Sequence, residues 1–421
     1  MRVLFLGLNY APEEIGIAVY TTGLCEELAA RGHEVRVVAA APYYPQWEVF
    51  PSYGGWWKQT SEAGVSVTRC PLFVPKNPTG GKRLVHHVTF ALSALAPMLK
   101  AAISFKPDLV MTAAPSLIGA PVAWLAAKMC GARSWLHIQD FEVEAAIATG
   151  LIAEDGLAAR VGRLVERGII SRFDQVSSIS PEMCRKLAAF DVPEDRIYEF
   201  RNWAETDRVM PLTGPSSYRA AWNIRTPHVA LYSGNIANKQ GIEIVVEAAR
   251  RLAHREDLTF VICGQGPNRA ELEKSATGLT NVQFHDLQPV ELLGEMLGLA
   301  TVHLLPQKAT AADLLLPSKL TNMLASGRPA VVTAAPGTGL AREVEGCCVV
   351  TPPEDGAAFA AAIESLIDDP ELHARLSRAA RARAEAVWHR DRIIDAVERR
   401  MHAVAGHTST PAVARSLAHD G

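Results

Sequence analysis

The strongest constraint on this chain is an alternation that runs twice. Short runs that are apolar at nearly every position are separated by segments of helical periodicity. In the first half the runs are Val3–Leu6, Val35–Ala39, Leu109–Met111, Ser134–Ile138 and Gln175–Ile179. Helical segments fall between them, at 20–30 with Gly32 as its C-terminal stop, at about 118–129 and at 157–170. A strand with one wet face would alternate apolar and polar residues. Continuous runs are buried on both faces, which implies a parallel sheet covered by helices.

The segment 205–227 carries three prolines and little periodicity, and reads as a linker. The pattern then restarts, with strands at 229–233, 259–263, 281–284, 301–305 and 330–333. The helices between them are at 241–252, 267–275, 289–297 and 317–325. In the first of these Ile242, Val245, Val246, Ala249 and Leu252 share one face. The predicted fold is α/β: two Rossmann-like, doubly wound domains, 1–205 and 206–385, facing each other across a cleft. A helix at about 386–403 is expected to return to the first domain, and 407–421, small and polar, to be disordered. In such sheets ligands gather at the carboxyl ends of the strands.

Composition narrows the chemistry. A net charge of −3 over 421 residues gives no global attraction to nucleic acid. Seven cysteines without a C-x-x-C pair point to a reduced, cytoplasmic compartment without disulfides or a zinc site. The longest apolar stretch, 84–105, is interrupted by His86, His87, Pro97 and Lys100, which is poor for a membrane span. No D-x-D, H-E-x-x-H or EF-hand pattern is present, so no metal is expected.

Five segments at strand ends could carry chemistry. Gly16 follows the first strand and opens a helix, where backbone N–H groups can approach a phosphate or sugar. His137 and Asp140 lie just past a strand end and could hydrogen-bond hydroxyl groups; a buried structural histidine and a helix-capping aspartate are the plainer readings. "YSGNIANKQG" places Gly234, Asn235 and Lys239 in a turn before a helix, either an anion site or a solvated turn. "CGQGP" places Gly264 and Gly266 where a backbone must come close, without the third glycine of a dinucleotide fingerprint. In "PSKLTNMLASG", Pro317 starts a helix whose first turn holds Ser318 and Lys319. A cation there opposes the helix dipole, and a bound diphosphate would reverse that penalty.

The order of these segments resembles the family 4 glycosyltransferases of GT-B fold. "NYAPEEIGIAVYTTGL" is similar to that family's first strand, glycine loop and helix, "FRNWAETDRVMPL" to its inter-domain segment, and "YSGNIANKQGIE" to its phosphate motif. "CGQGP" and "FHDLQPVELLGEMLGLATVHLLP" resemble its nucleotide-binding core, which adds Gln288 beside the base. "APYYPQWEVF", "LHIQDFEVEA" and "LPSKLTNMLASG" resemble one subgroup, whose members serve colanic acid-type exopolysaccharide synthesis and are regarded as fucosyltransferases. Two positions depart from the family pattern. Asn235 stands where an arginine is usual, and Asn322 where a ribose-binding glutamate is usual.

The resemblance implies a retaining, metal-independent transfer from a nucleotide sugar, GDP- or UDP-linked and GDP-fucose by the subgroup, with no cofactor. Lys239, Lys319 and Ser318 would meet the diphosphate, and His137 the donor sugar. The acceptor it implies is a sugar on a polyprenyl diphosphate at the inner face of the membrane. Residues 76–106, with Lys76, Lys82, Arg83, Lys100 and Lys106 beside an apolar helix, would lie on that surface; a core helix with solvated ends is the alternative. A nucleotide-sugar 2-epimerase and a non-catalytic nucleotide-sugar-binding protein are the rival functions.

Overall fold

The computed structural model describes residues 1–14, 16–148, 152–237, 240–309 and 317–406. Lys239 and the 407–421 tail lie outside the described residues.

Arg2–Gly7 (β1) is buried at five of six positions because strands flank it on both sides. Ile17–Ala30 (α1) leads from it to Glu34–Ala40 (β2), parallel to β1 with Leu4 opposite Arg36. Lys58–Glu62 (β3) and Val65–Cys70 (β4) form an antiparallel hairpin at the edge beyond β2. Gly80–Phe105 (α2) then crosses to Leu109–Ala114 (β5), on the other side of β1. Ala120–Cys130 (α3) leads to Arg133–Ile138 (β6). Glu142–Ala148 (α4) and Leu157–Ile170 (α5) precede Gln175–Ser178 (β7). Pro181–Ala188 (α6) precedes the edge strand Ile197–Glu199 (β8). The order is β3-β4-β2-β1-β5-β6-β7-β8, parallel except for β3.

The inner faces of α2 and α3 fill the core above β1 and β5. Phe90, Ala94, Met98, Ala123 and Ala126 pack against Leu4, Leu6 and Val110. Among the described residues α2 is the one helix long and apolar enough to cross a membrane by length and composition, and 33% of its most apolar window is buried in this core.

The second sheet begins after the linker. Tyr218–Ala221 (α7) precedes His228–Ser233 (β9), which leads through Glu243–Arg251 (α8) to Leu258–Cys263 (β10) and through Arg269–Ser275 (α9) to Val282–His285 (β11). Leu293–Gly298 (α10) returns the chain to Val302–Leu305 (β12) on the other side of β9. Ser318–Ala325 (α11), Ala330–Thr333 (β13), Gly339–Glu343 (α12) and Val349–Thr351 (β14) follow. Gly356–Asp368 (α13), Pro370–Val387 (α14) and Arg390–Ala405 (α15) close the chain. The order β11-β10-β9-β12-β13-β14 is wholly parallel. Counted from its own first strand it is 3-2-1-4-5-6, the doubly wound dinucleotide-fold order. Because side chains alternate along a strand, Leu231 enters the core on one face while Ala230 and Tyr232 enter that on the other.

The chain divides into two units. The first comprises Met1–Ser178, Cys184–Phe200 and the C-terminal stretch from Ile394; the second comprises Ile179–Met183 and Arg201–Ile393. The change of unit therefore falls at 200/201 rather than 205/206, and a short excursion at 179–183 was not foreseen. Within the first unit, α15 is held by Arg31, whose Nη1 donates to Asp395 Oδ1 at 2.5 Å and Glu398 Oε2 at 2.8 Å. Arg400 Nε donates to Gln175 Oε1 at 2.8 Å.

Candidate active site

The switch point of the second sheet lies between β9 and β12, where crossovers leave in opposite directions and strand ends open a crevice. The turn after β9, at 234–237, runs there. Its shape is fixed from three sides. Tyr232 Oη donates to the Asn235 carbonyl at 2.6 Å, Gly234 N donates to Cys263 O at 2.9 Å, and Ile236 N donates to Gln265 O at 2.8 Å.

The turn explains both glycines of "CGQGP". A Cβ on Gly264 would run into the Gly234 carbonyl oxygen, and one on Gly266 into that of Ile236. The close backbone approach expected there exists, but it is made by the chain itself rather than by a ligand.

Lys319 reaches the same turn from α11. Its Nζ stands 4.1 Å from the centre of the Tyr232 ring, and a Cβ on Gly234 would lie 3.3 Å from Lys319 Cδ. The ammonium is buried and has no hydrogen-bond partner among the described residues. Burial pushes its pKa down to about 7. Pro317 precedes the helix, no side chain among the described residues caps it, and Ser318 is exposed in its first turn, so free N–H groups and the positive end of the helix dipole sit beside the cation. A buried ammonium facing a helix N-terminus is a pair of like charges without a counter-ion among the described residues. A diphosphate would satisfy both.

Other expected residues are already engaged. Asn322 Oδ1 accepts from Glu205 N at 2.9 Å, so the amide that replaces a glutamate anchors the linker to α11. Gln288 Oε1 accepts from Tyr218 Oη at 3.0 Å, and its Nε2 donates to Asp286 O at 2.7 Å. Asn235 is exposed within the turn. Sequence reasoning passed over Lys308, just past the end of β12 and against Gly241, where a Cβ would lie 3.0 Å from Lys308 Cγ. Its place after a strand at the switch point was the available signal.

In the first unit, Gly16 precedes α1 with φ 66°, and the space a Cβ would take is open, as a ligand-facing turn requires. His137 is different. It is buried, its Nδ1 lies 2.9 Å from Ser177 Oγ and its Nε2 3.0 Å from Gln139 Nε2. With Gln139 donating to Nε2, Nδ1–H donates to Ser177, and burial lowers the imidazole pKa to about 3. Neither ring nitrogen is left for the sugar contact expected of it. Asp140 is half-buried and is not helical; α4 starts two residues later.

A residue that the sequence did not single out organises this edge. The Glu13 carboxylate is buried and accepts from Tyr43 N at 2.7 Å, Tyr44 N at 2.8 Å and Asn9 Nδ2 at 2.7 Å. It ties the loop after β1 to the loop after β2. Burial raises its pKa despite the three donors.

Comparison with known proteins places this geometry. Residues 16–203 match the family model "Glycosyl transferase 4-like domain", and residues 227–369 match "Glycosyl transferases group 1". The sucrose-phosphate synthase of Thermosynechococcus elongatus superposes with a TM-score of 0.73 at 17% identity, covering 96% of this chain and 99% of that one. Anabaena HepE, solved in complex with UDP, gives 0.71 at 15%, covering 96% and 100%. These likenesses define a two-domain GT-B fold. The chain is a glycosyltransferase.

It belongs to family 4. A relative in Escherichia coli (strain K12), named "Putative colanic acid biosynthesis glycosyl transferase WcaI", is 42% identical over 377 residues, 87% of this chain and 92% of its own length.

Proposed function

We propose that the protein transfers a sugar from a nucleoside-diphosphate donor to a glycan carried on a polyprenyl diphosphate, in exopolysaccharide synthesis of the colanic acid type. The observation that carries the donor half is Lys319: a buried ammonium without a partner among the described residues, beside an uncapped helix N-terminus at a switch point. The WcaI relationship supports the colanic acid-type pathway; GDP-fucose as donor and the lipid-carried acceptor rest on the subgroup resemblance of the sequence.

Breaking the sugar–phosphate bond leaves negative charge on the departing diphosphate. Lys319, the first N–H groups of α11 and Lys308 would meet it, with Lys239 as the family's phosphate lysine. Preorganised donors of this kind contribute about 3–4 kcal/mol each to a transition state. The departing phosphate oxygen takes the proton of the acceptor hydroxyl. The new C1–O bond forms on the face the diphosphate leaves, so configuration is retained. No metal is needed for this charge balance, and no cofactor is implied.

A thermal-shift screen of nucleotide sugars, followed by a transfer assay with and without EDTA, tests the reading. Stabilisation by GDP-fucose and chelator-resistant transfer are expected. Release of free sugar without an acceptor would favour the epimerase alternative, and binding without turnover a non-catalytic role.

A further inference from the structure

Amphipathic helices in soluble domains turn their apolar stripe inward. In α5 the stripe points out. Leu157 is 78% exposed, Val161 50%, Leu164 71% and Val165 54%. At 100° per residue these four cluster on one side of the helix. The residues that α5 buries on the opposite side are Ala159, Glu166 and Ile170. Glu166 faces the start of α4, beside the Glu142 and Val143 N–H groups. The helix is thus docked in part through a carboxylate and shows its leucines to solvent.

The same layer of the unit behaves alike elsewhere. The strand order with right-handed crossovers puts α2, α3 and α5 on one side of the sheet. On α2, Leu84, Val88 and Leu92 are exposed, as is Met129 on α3. Trp57 Nε1 donates to Ser93 O of α2 at 2.9 Å, with Trp56 stacked on it and facing solvent. Apolar surface on this scale marks an interaction face.

Charge selects the occupant. The acid within α5, Glu166, is buried, while Arg160, Arg163 and Arg167 line one flank of the stripe. Arg167 pairs with Asp191, and Arg160 and Arg163 make no ion pair among the described residues. A second copy of this chain would bring arginines to arginines. An anionic lipid surface accepts both parts, with leucines at the acyl boundary and guanidinium groups among the phosphates.

We propose that the α2–α3–α5 layer is the membrane-docking face of this protein and that α5 is its inserting element. The inference deepens the reading of a lipid-carried acceptor, and its test needs neither donor nor acceptor, so one can fail without the other. The full chain is floated with phosphatidylglycerol or with phosphatidylcholine vesicles. Wild type is expected to float with the anionic vesicles. Leu157→Glu with Leu164→Glu should lose partitioning at least about tenfold. Arg160→Gln with Arg163→Gln should lose about fivefold per arginine on anionic vesicles alone. Leu287→Glu, at an exposed leucine in the other unit, should change nothing. Unchanged melting temperature and nucleotide binding show that the variants are folded. A wild type indifferent to both vesicle types, or a leucine variant that floats like wild type, would overturn the proposal. So would a lipid-free dimer that the leucine variant dissolves.

Discussion

The two sheets share a doubly wound parallel core and end in opposite chemistry. At the carboxyl edge of the first, a buried carboxylate, Glu13, collects three N–H donors, and a buried imidazole, His137, has both nitrogens occupied. At the carboxyl edge of the second, a buried ammonium, Lys319, donates to no acceptor among the described residues. At the first edge these two groups are satisfied as folded. The second leaves its ammonium without an acceptor among the described residues, the place an anion would fill on the proposed reading. Burying a polar group without a partner costs about 1–3 kcal/mol, so the second edge carries a stability deficit that donor binding would offset.

The comparison can be broken most directly at Lys319. Lys319→Met should cut transfer about 10²–10³-fold, while raising the melting temperature of the ligand-free protein. Those two readouts move oppositely only if the lysine serves the ligand and not the fold. A variant that melts lower and still binds nucleotide sugar would end the contrast.

Glu13→Ala should do the reverse. It strands the Tyr43 and Tyr44 N–H groups and the Asn9 amide, at a cost of about 3 kcal/mol in urea unfolding, with donor affinity unchanged. A loss of donor affinity matching that at Lys319 would show that both edges serve the nucleotide.

The smallest effect is the most specific. The folded pKa of Lys319, about 7, lies below its unfolded value of about 10.4. Between them the unfolded chain holds the extra proton, so ligand-free stability rises with pH across that window. The melting-temperature gap between Lys319→Met and wild type should therefore be largest below pH 7 and shrink as the pH rises. Affinity for a nucleoside diphosphate, which needs the charged form, should weaken over the same range by up to about tenfold per pH unit. A pH-independent gap would mean that the lysine is charged throughout.

Much of this was legible. Strands such as β1, β5, β9 and β10 are buried along their length, and their runs announce themselves. β3, with the sequence KQTSE, is a mostly exposed antiparallel edge and has no apolar period to read. β8 is a three-residue edge strand. At the site, Lys319 was visible as a cation in the wrong turn of a helix. What local pattern cannot show is who meets whom. Glu13 reads as one acid in "APEEIG" until folding brings Tyr43 and Tyr44 to it, 30 and 31 residues away. Likewise Gly264 reads as a ligand glycine until the turn after β9 is laid across it.

The chain's exchange of short stretches between its units bears on how the protein can be dissected. A fragment ending at Phe200 would look like the first domain by sequence, yet it would lack the C-terminal stretch from Ile394. It would leave Arg31 without Asp395 and Glu398, and Gln175 without Arg400. It would also carry Ile179–Met183, which belong to the other unit. No single cut yields two independent pieces. Expression of the first domain alone would call for a fusion of α15 to it, and donor-specificity chimaeras would have to exchange Arg201–Ile393 as an insert rather than swap C-terminal halves.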